Sequence, residues 1–340
     1  TGRLQNIEHL TGNKSFKFVQ ADISLELPDL GTPELILNFA SPASPPAYLS
    51  MPVHTMRTGS LGTMHALELA SKANARFIMA STSEIYGDPL EHPQTESYWG
   101  NVNPIGVRAC YDEGKRASET LFFDYWRQYQ VQIKVARIFN TYGPNMHPQD
   151  GRVVSNFIVQ ALQGSTISIY GDGNQTRCFA HVYDVVDAVI AVAFAENTIG
   201  KVINIGNDFE ISINRLAQKI ISETNSKSEI VYVPYGEAYG DGFEDMERRV
   251  PNINLINELV GWKPKRDLST MIADIAAEMG KNLGDDLREG KATLPLILAM
   301  QRGAPAQREL IQKAIETGSV DQLSSVIAIV RETGALEGSR

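Results

Sequence analysis

The chain has 340 residues, 43% of them apolar, and a formal net charge of −9. That length buries one large core or two smaller ones, and the acidic balance excludes general nucleic-acid binding while leaving room for a few local arginines to hold a nucleotide. Cys110 and Cys178 lack metal-ligand spacing, the six histidines show no zinc pattern, and no apolar run approaches membrane length, so the expectation is free thiols, no metal and no membrane or nucleic-acid partner.

In chain order, Phe16 to Ala21 predicts a short strand ending at Asp22, and Glu34 to Ala40 a second strand stopped by Ser41-Pro42-Ala43-Ser44-Pro45-Pro46. Met56 to Ala73 has helical spacing, Arg76 to Ala80 is a strand, Tyr111 to Tyr129 a long helix and Gln132 to Phe139 a strand. Further on we predict a helix over Val153 to Gln163, a strand near Ile167 to Tyr170, and a helix over His181 to Glu196 that buries Val182, Val185, Val186, Val189 and Ile190. Strands at Val202 to Ile205 and Ile230 to Val233 flank a helix over Ile213 to Thr224; a polar loop spans Gly236 to Val250, and a short helix runs from Ile253 to Val260. Apolar strands alternating with helices predict an α/β fold, a Rossmann-like doubly wound parallel sheet. Ligands in such sheets bind beyond the carboxyl ends of the strands, where Ser41, Ser81 to Glu84 and Asn140 should converge.

Tyr111 and Lys115 lie about one turn apart on their helix and can share a face. A phenol beside an ammonium, with Thr82 or Ser83 in reach, can take a proton from an alcohol, and the lysine charge is expected to pull the phenol towards neutrality. That chemistry suits hydride transfer to a nicotinamide.

Longer stretches carry a resemblance. They are Ala40 to Pro46, Ala80 to Pro89 (ASTSEIYGDP), His92-Pro93-Gln94, Tyr98 to Gly106 (YWGNVNPIG), Arg108 to Arg116 (RACYDEGKR), Ala136 to Pro144 (ARIFNTYGP), Asp150 to Ile158 (DGRVVSNFI) and Tyr170 to Arg177 (YGDGNQTR). Residues 1 to 275 resemble the extended short-chain dehydrogenase/reductase family of nucleotide-sugar enzymes, and the stretch from Tyr98 to Arg116 resembles its members that decarboxylate UDP-glucuronate. The resemblance implies NAD as cofactor and conversion of UDP-glucuronate to UDP-xylose through a 4-keto sugar. A 4-epimerase or 4,6-dehydratase acting on another nucleotide sugar, and a non-catalytic remnant, are the alternatives.

The resemblance also implies roles. Tyr111 is the base, Lys115 its helper, and Thr82 or Ser83 holds the reacting oxygen. Glu84 serves decarboxylation and proton return, and Arg249, with Arg248 as fallback, faces the sugar or diphosphate. Asp22 and Ile23 should meet the adenine, while Ala40, Ser41, Thr58 and Ala80 line the rest of the cofactor groove beside Tyr111 and Lys115. Asn140, Arg152, Tyr170 and Arg177 should hold the UDP. His147 and His181 read as structural. The helices around Met56 to Ala73 and Tyr111 to Tyr129 would form a homodimer interface, and the protein would be cytoplasmic. Asn252, where the family commonly has aspartate, departs from the decarboxylase pattern.

The implied organisation is a truncated NAD-binding domain (1–150, with segments near 175–205 returning to it), a small α/β UDP-sugar-binding domain (151–275) and a C-terminal helical segment (280–340). The family's Gly-rich dinucleotide loop should lie before Thr1, so the chain as given is expected to bind NAD poorly, which leaves its activity open. Gly280 to Met300 instead resembles the C-terminal part of a trans polyprenyl diphosphate synthase, and 280–340 reads as a fused fragment. Asp285 and Asp286 read as a charged helix end rather than a magnesium site.

Overall fold

Alternating apolar runs and turn residues become a layered α/β structure. The computed structural model describes residues 4–147, 150–234, 237, 246, 248–288, 294–317 and 322–335. After a 3-10 helix (Leu4–Leu10) come β1 (Leu35–Asn38), α1 (Pro45–Ser50), α2 (Pro52–Arg57), a π-helical turn (Thr58–Gly62) and α3 (Thr63–Ala73). β2 (Arg76–Thr82) leads through a 3-10 turn (Ser83–Tyr86) to α4 (Ala109–Tyr129), β3 (Gln132–Ile138), β4 (Thr141–Tyr142) and α5 (Val153–Gln163). Next are β5 (Ile167–Tyr170), β6 (Thr176–Cys178), β7 (Ala180–His181), α6 (Val182–Phe194), β8 (Lys201–Ile205), β9 (Glu210–Ser212), α7 (Ile213–Glu223) and β10 (Ile230–Val233). The chain ends with β11 (Arg248–Arg249), α8 (Asn254–Val260), α9 (Leu268–Arg288), α10 (Leu294–Arg302), α11 (Pro305–Thr317) and α12 (Leu323–Glu332).

The main sheet has the order β1-β2-β3-β8, all parallel. Successive side chains of a strand leave opposite faces, and both faces here are covered. Phe77, Met79, Ile133 and Val135 pack under α3 and α4, while Ile78, Ala136, Ile203 and Ile205 pack under α6 and α8. Lys134 breaks the apolar pattern for a physical reason. Its Nζ donates to the carbonyls of Val192, Ala193 and Ala195 at 2.7–2.9 Å, satisfying acceptors left over at the end of α6.

Two expectations fail. Residues 16–21 form no strand: they pair with none of the described strands, and Phe18 and Val19 are exposed rather than packed on a sheet. On α6, Val186 and Ile190 are 46% and 50% exposed, whereas Val185, Ala188, Val189 and Val192 are buried. The buried stripe recurs three and four residues apart, and Val186 and Ile190 lie more than a quarter-turn away from its centre, about 110° and 150° round the helix.

A second core joins α5, β5, α7 and the first half of α9 through residues such as Ile158, Ile167, Leu216, Ile220, Met271 and Ile275. β6 pairs antiparallel with β9 and parallel with β11, which sets Arg249 opposite Arg177. Residues of α10, α11 and α12 form a separate core around Leu296, Ile311, Val326 and Ile329. Asp285 and Asp286 fall within α9, but their side chains, like most of the loop 236–247, lie outside the described residues. Among the described residues no helix is long and apolar enough to cross a membrane, and no cluster of metal-ligating side chains occurs. Both cysteines are free thiols. The buried His181 is structural, accepting from Tyr183 N–H and facing Asp274 Oδ2 at 3.1 Å.

Candidate active site

The carboxyl ends of β2 and β3 open into a cleft of about 350 Å³ lined by residues from both cores. β2 delivers Ala80 to Thr82, the following turn delivers Ser83 and Glu84, and α4 delivers Tyr111 and Lys115. α4 is held close to the π-helical turn because Gly59 meets Gly114 backbone to backbone; a Cβ on Gly59 would stand 2.7 Å from Gly114 O. Ser118 Oγ seals this crossing, donating to Gly59 O at 2.5 Å.

Tyr111 and Lys115 share a face, with Nζ 5.9 Å from the phenol ring centroid. The expected acidification of the phenol is absent. Lys115 Nζ donates to Ala80 O at 2.8 Å, and burial lowers its own pKa to about 8. Burial, followed by the Glu84 charge, raises Tyr111 to about 12, while a hydrogen bond with Thr82 works the other way. Tyr48, which sequence reasoning missed, stacks on Tyr111 with ring centroids 5.1 Å apart, and its buried Oη has no hydrogen-bond partner among the described residues.

Glu84 is the electrostatic centre. Arg249 forks onto it, Nη1 to Oε1 at 2.5 Å and Nη2 to Oε2 at 3.0 Å, and Arg108 Nη2 binds the second oxygen. Planar guanidinium suits this bidentate geometry. Arg249 is placed by the fully buried Gln94, whose backbone and side chain both bond Val250. Gln94 stood in a recognised stretch, but nothing in its spacing showed this clamp. Arg248 instead points outward to Glu210.

Asn140, Arg152, Tyr170 and Arg177 also line the cleft. Arg152 pairs with Asp150 and lies over the Tyr142 ring, and Arg177 Nη2 donates to Met246 O at 2.5 Å. In an acidic chain, five cationic side chains (Arg108, Lys115, Arg152, Arg177, Arg249) gather around the carboxylates of Glu84, Asp112 and Asp150. Ser41 and Ala80 line the cleft too, but Asp22, Ile23, Ala40 and Thr58 do not. The Asp22 carboxylate bonds Ser24 N, Ile23 O meets His65, Ala40 is exposed, and Thr58 donates to His54 O.

The family described as GDP-mannose 4,6 dehydratase matches residues 1–275. This chain belongs to that family. It is 42% identical over 305 residues to UDP-glucuronic acid decarboxylase 1 of Danio rerio, covering 90% of this chain and 71% of that protein. It is 46% identical over 264 residues to UDP-glucuronic acid decarboxylase 1 of Xenopus tropicalis, covering 78% of this chain and 60% of that protein. Its fold matches that of UDP-glucuronic acid 4-epimerase from Bacillus cereus with a TM-score of 0.73 at 22% identity, over 82% of this chain and 86% of the other. A second family, described as polyprenyl synthetase, matches residues 267–330. The C-terminal resemblance therefore holds and begins earlier than residue 280, at the residue just before α9, whose first half packs into the second core.

Proposed function

We propose that this protein converts UDP-glucuronate to UDP-xylose and carbon dioxide through a 4-keto sugar, with NAD as its cofactor. One observation carries the reading: Glu84, gripped by Arg108 and Arg249, stands beside the Tyr111–Thr82 pair in one cleft. A proton-transfer group and a cation pair suited to a sugar carboxylate thus meet at one end. The relatives' names point to the same reaction.

The residues present fit NAD. Tyr48 lines the cleft with an Oη that has no partner among the described residues, and Ser41, Ala80, Tyr111 and Lys115 would hold the cofactor beside it. When bound, NAD would accept the hydride from carbon 4 and give it back to that carbon after decarboxylation, so that the cofactor is unchanged overall, and it would set a positive charge near the phenol. Tyr111 takes the proton of the sugar 4-hydroxyl, and Thr82 and Ser83 hold that oxygen. Lys115 is anchored on Ala80 O and fixes the adjoining wall. A carbonyl at carbon 4 is β to the carboxylate, so the bond to carbon dioxide breaks with its electrons entering an enolate. Arg249 and Arg108 orient the carboxylate, and Glu84 serves the return of a proton to carbon 5. Asn140, Arg152, Tyr170 and Arg177 bind UDP, the arginines matching diphosphate oxygens. The division into a cofactor-binding part and a UDP-sugar-binding part belongs to the same proposal. So do a homodimer through α2, α3 and α4 and, given the free thiols, a cytoplasmic location.

The test is product analysis after incubation with UDP-glucuronate and a large excess of NAD, which offsets the weak cofactor binding expected of residues 1–340. Carbon dioxide with a UDP-pentose is expected. A UDP-hexuronate epimer with no carbon dioxide, or unchanged substrate, refutes the reading.

A further inference from the structure

Gln94 does not line the cleft, yet it is fully buried and has a partner for every polar atom. Its backbone N–H donates to Val250 O and its carbonyl accepts from Asn252 N, both at 2.8 Å, as a parallel bridge to Pro251. Its side-chain Oε1 accepts from Val250 N, also at 2.8 Å, and Nε2 donates to Glu91 O at 2.7 Å. These two bonds fix which way the amide lies, because a backbone N–H can only donate and a carbonyl can only accept. The second Nε2 proton is thereby left for His92 Nδ1, 2.7 Å away, which is the acceptor. Behind this clamp, Asn204 Nδ2 donates to both Gln94 O and Asn252 O, and Tyr86 Oη donates to Asn204 Oδ1.

β11 has only two residues, and its pairing with β6 holds Arg249 from one side. Gln94 supplies a second restraint directly after it. The Val250 N–H belongs to the planar peptide unit that joins Arg249 to Val250, so an acceptor fixed on that N–H fixes the plane relative to the Arg249 Cα. We propose that Gln94 is a positioning residue for the reaction: it holds the Arg249–Val250 peptide plane and through it aims the guanidinium at the sugar end of the cleft. The inference rests on the reading of Arg249 as a group that orients the carboxylate of UDP-glucuronate. Coupling of this kind is reciprocal, so a ligand that Arg249 grips must in turn tighten the Gln94 clamp.

Calorimetric titration without cofactor tests this, with UDP-xylose as the ligand lacking the carboxylate. Gln94→Met fills similar space and leaves the Val250 N–H without its side-chain acceptor. Affinity for UDP-glucuronate should fall about tenfold, the size expected of one orphaned buried N–H, and affinity for UDP-xylose should not change. In an Arg249→Ala background, Gln94→Met should bring no further loss. The wild type alone supplies a second reading, which decides the matter if the variant does not fold. UDP-glucuronate should slow hydrogen exchange at the amides of Val250 and Asn252 beyond what UDP-xylose does. An equal loss for both ligands, a Gln94→Met loss that persists without Arg249, or equal exchange with both ligands overturns the inference alone. Absence of UDP-glucuronate binding to the wild type overturns the proposed function and this inference with it.

Discussion

Glu119 lies beneath the cleft and ties three elements together. It accepts Ser81 Oγ at 2.5 Å, Arg137 Nε at 3.0 Å and Arg137 Nη2 at 2.8 Å. Arg137 also donates to Tyr86 Oη at 2.9 Å and Glu96 O at 3.0 Å, and both charged side chains are buried. Glu119→Leu would leave a guanidinium that cannot shed its charge without a counter-ion. Breaking one side of a buried pair costs about 3–5 kcal/mol. The two remaining Arg137 bonds place this case near the lower end, at about 3 kcal/mol. Replacing both partners, Glu119→Leu with Arg137→Met, removes the uncompensated charge. Its remaining defects are a Ser81 hydroxyl without its acceptor, a Glu96 carbonyl without its Arg137 donor and one donor fewer for Tyr86, which still donates to Asn204 Oδ1. The double variant should therefore lie within about 1–2 kcal/mol of wild type. Urea unfolding followed by tryptophan fluorescence measures both, since Trp126 and Trp262 report from opposite faces of the main sheet. A loss below about 1 kcal/mol in the single variant, or a double variant as unstable as the sum of the two singles, would refute the reasoning.

Tyr111→Phe keeps the stacking on Tyr48 and removes the proton acceptor, so turnover of UDP-glucuronate should fall about 10²–10⁴-fold with little change in the urea midpoint. Lys115 has its folded pKa lowered from the ordinary 10.5 to about 8. Between those values the unfolded chain binds more protons, so stability should rise with pH across that window; Lys115→Met should flatten the rise in urea midpoints measured at stepped pH. Gly59→Ala sets a Cβ 2.7 Å from the Gly114 carbonyl oxygen, and prising the two backbones apart should cost about 1–3 kcal/mol, read by the same unfolding assay.

Elements with a strong local pattern were legible in the sequence. Val153–Gln163 and Ile167–Tyr170 fold within the limits expected of them, because their apolar residues and bounding turns agree with their neighbours. Phe16 to Ala21 reads like a strand, but a strand requires an edge to pair with, and that is a property of other segments. The shared face of Tyr111 and Lys115 followed from helical spacing alone; where the ammonium goes did not, because Ala80 O belongs to β2. Arg108 and Glu84 stood in recognised stretches and Arg249 was assigned through the resemblance, yet Arg249 reaches Glu84 across 165 residues of sequence. Tyr48 and Gln94 left no signal of their own, since each matters through a neighbour supplied by tertiary packing.

The helix α9 belongs to two lineages at once. The two family matches overlap at residues 267–275, yet Leu268, Met271, Ile272, Ile275 and Met279 are keyed into one core with α5 and α7. Ancestry and cooperativity thus draw their borders in different places. Anyone dividing the polypeptide for expression at the border of descent would strip the lid from Ile158 and Ile220, and a usable cut belongs beyond Met279.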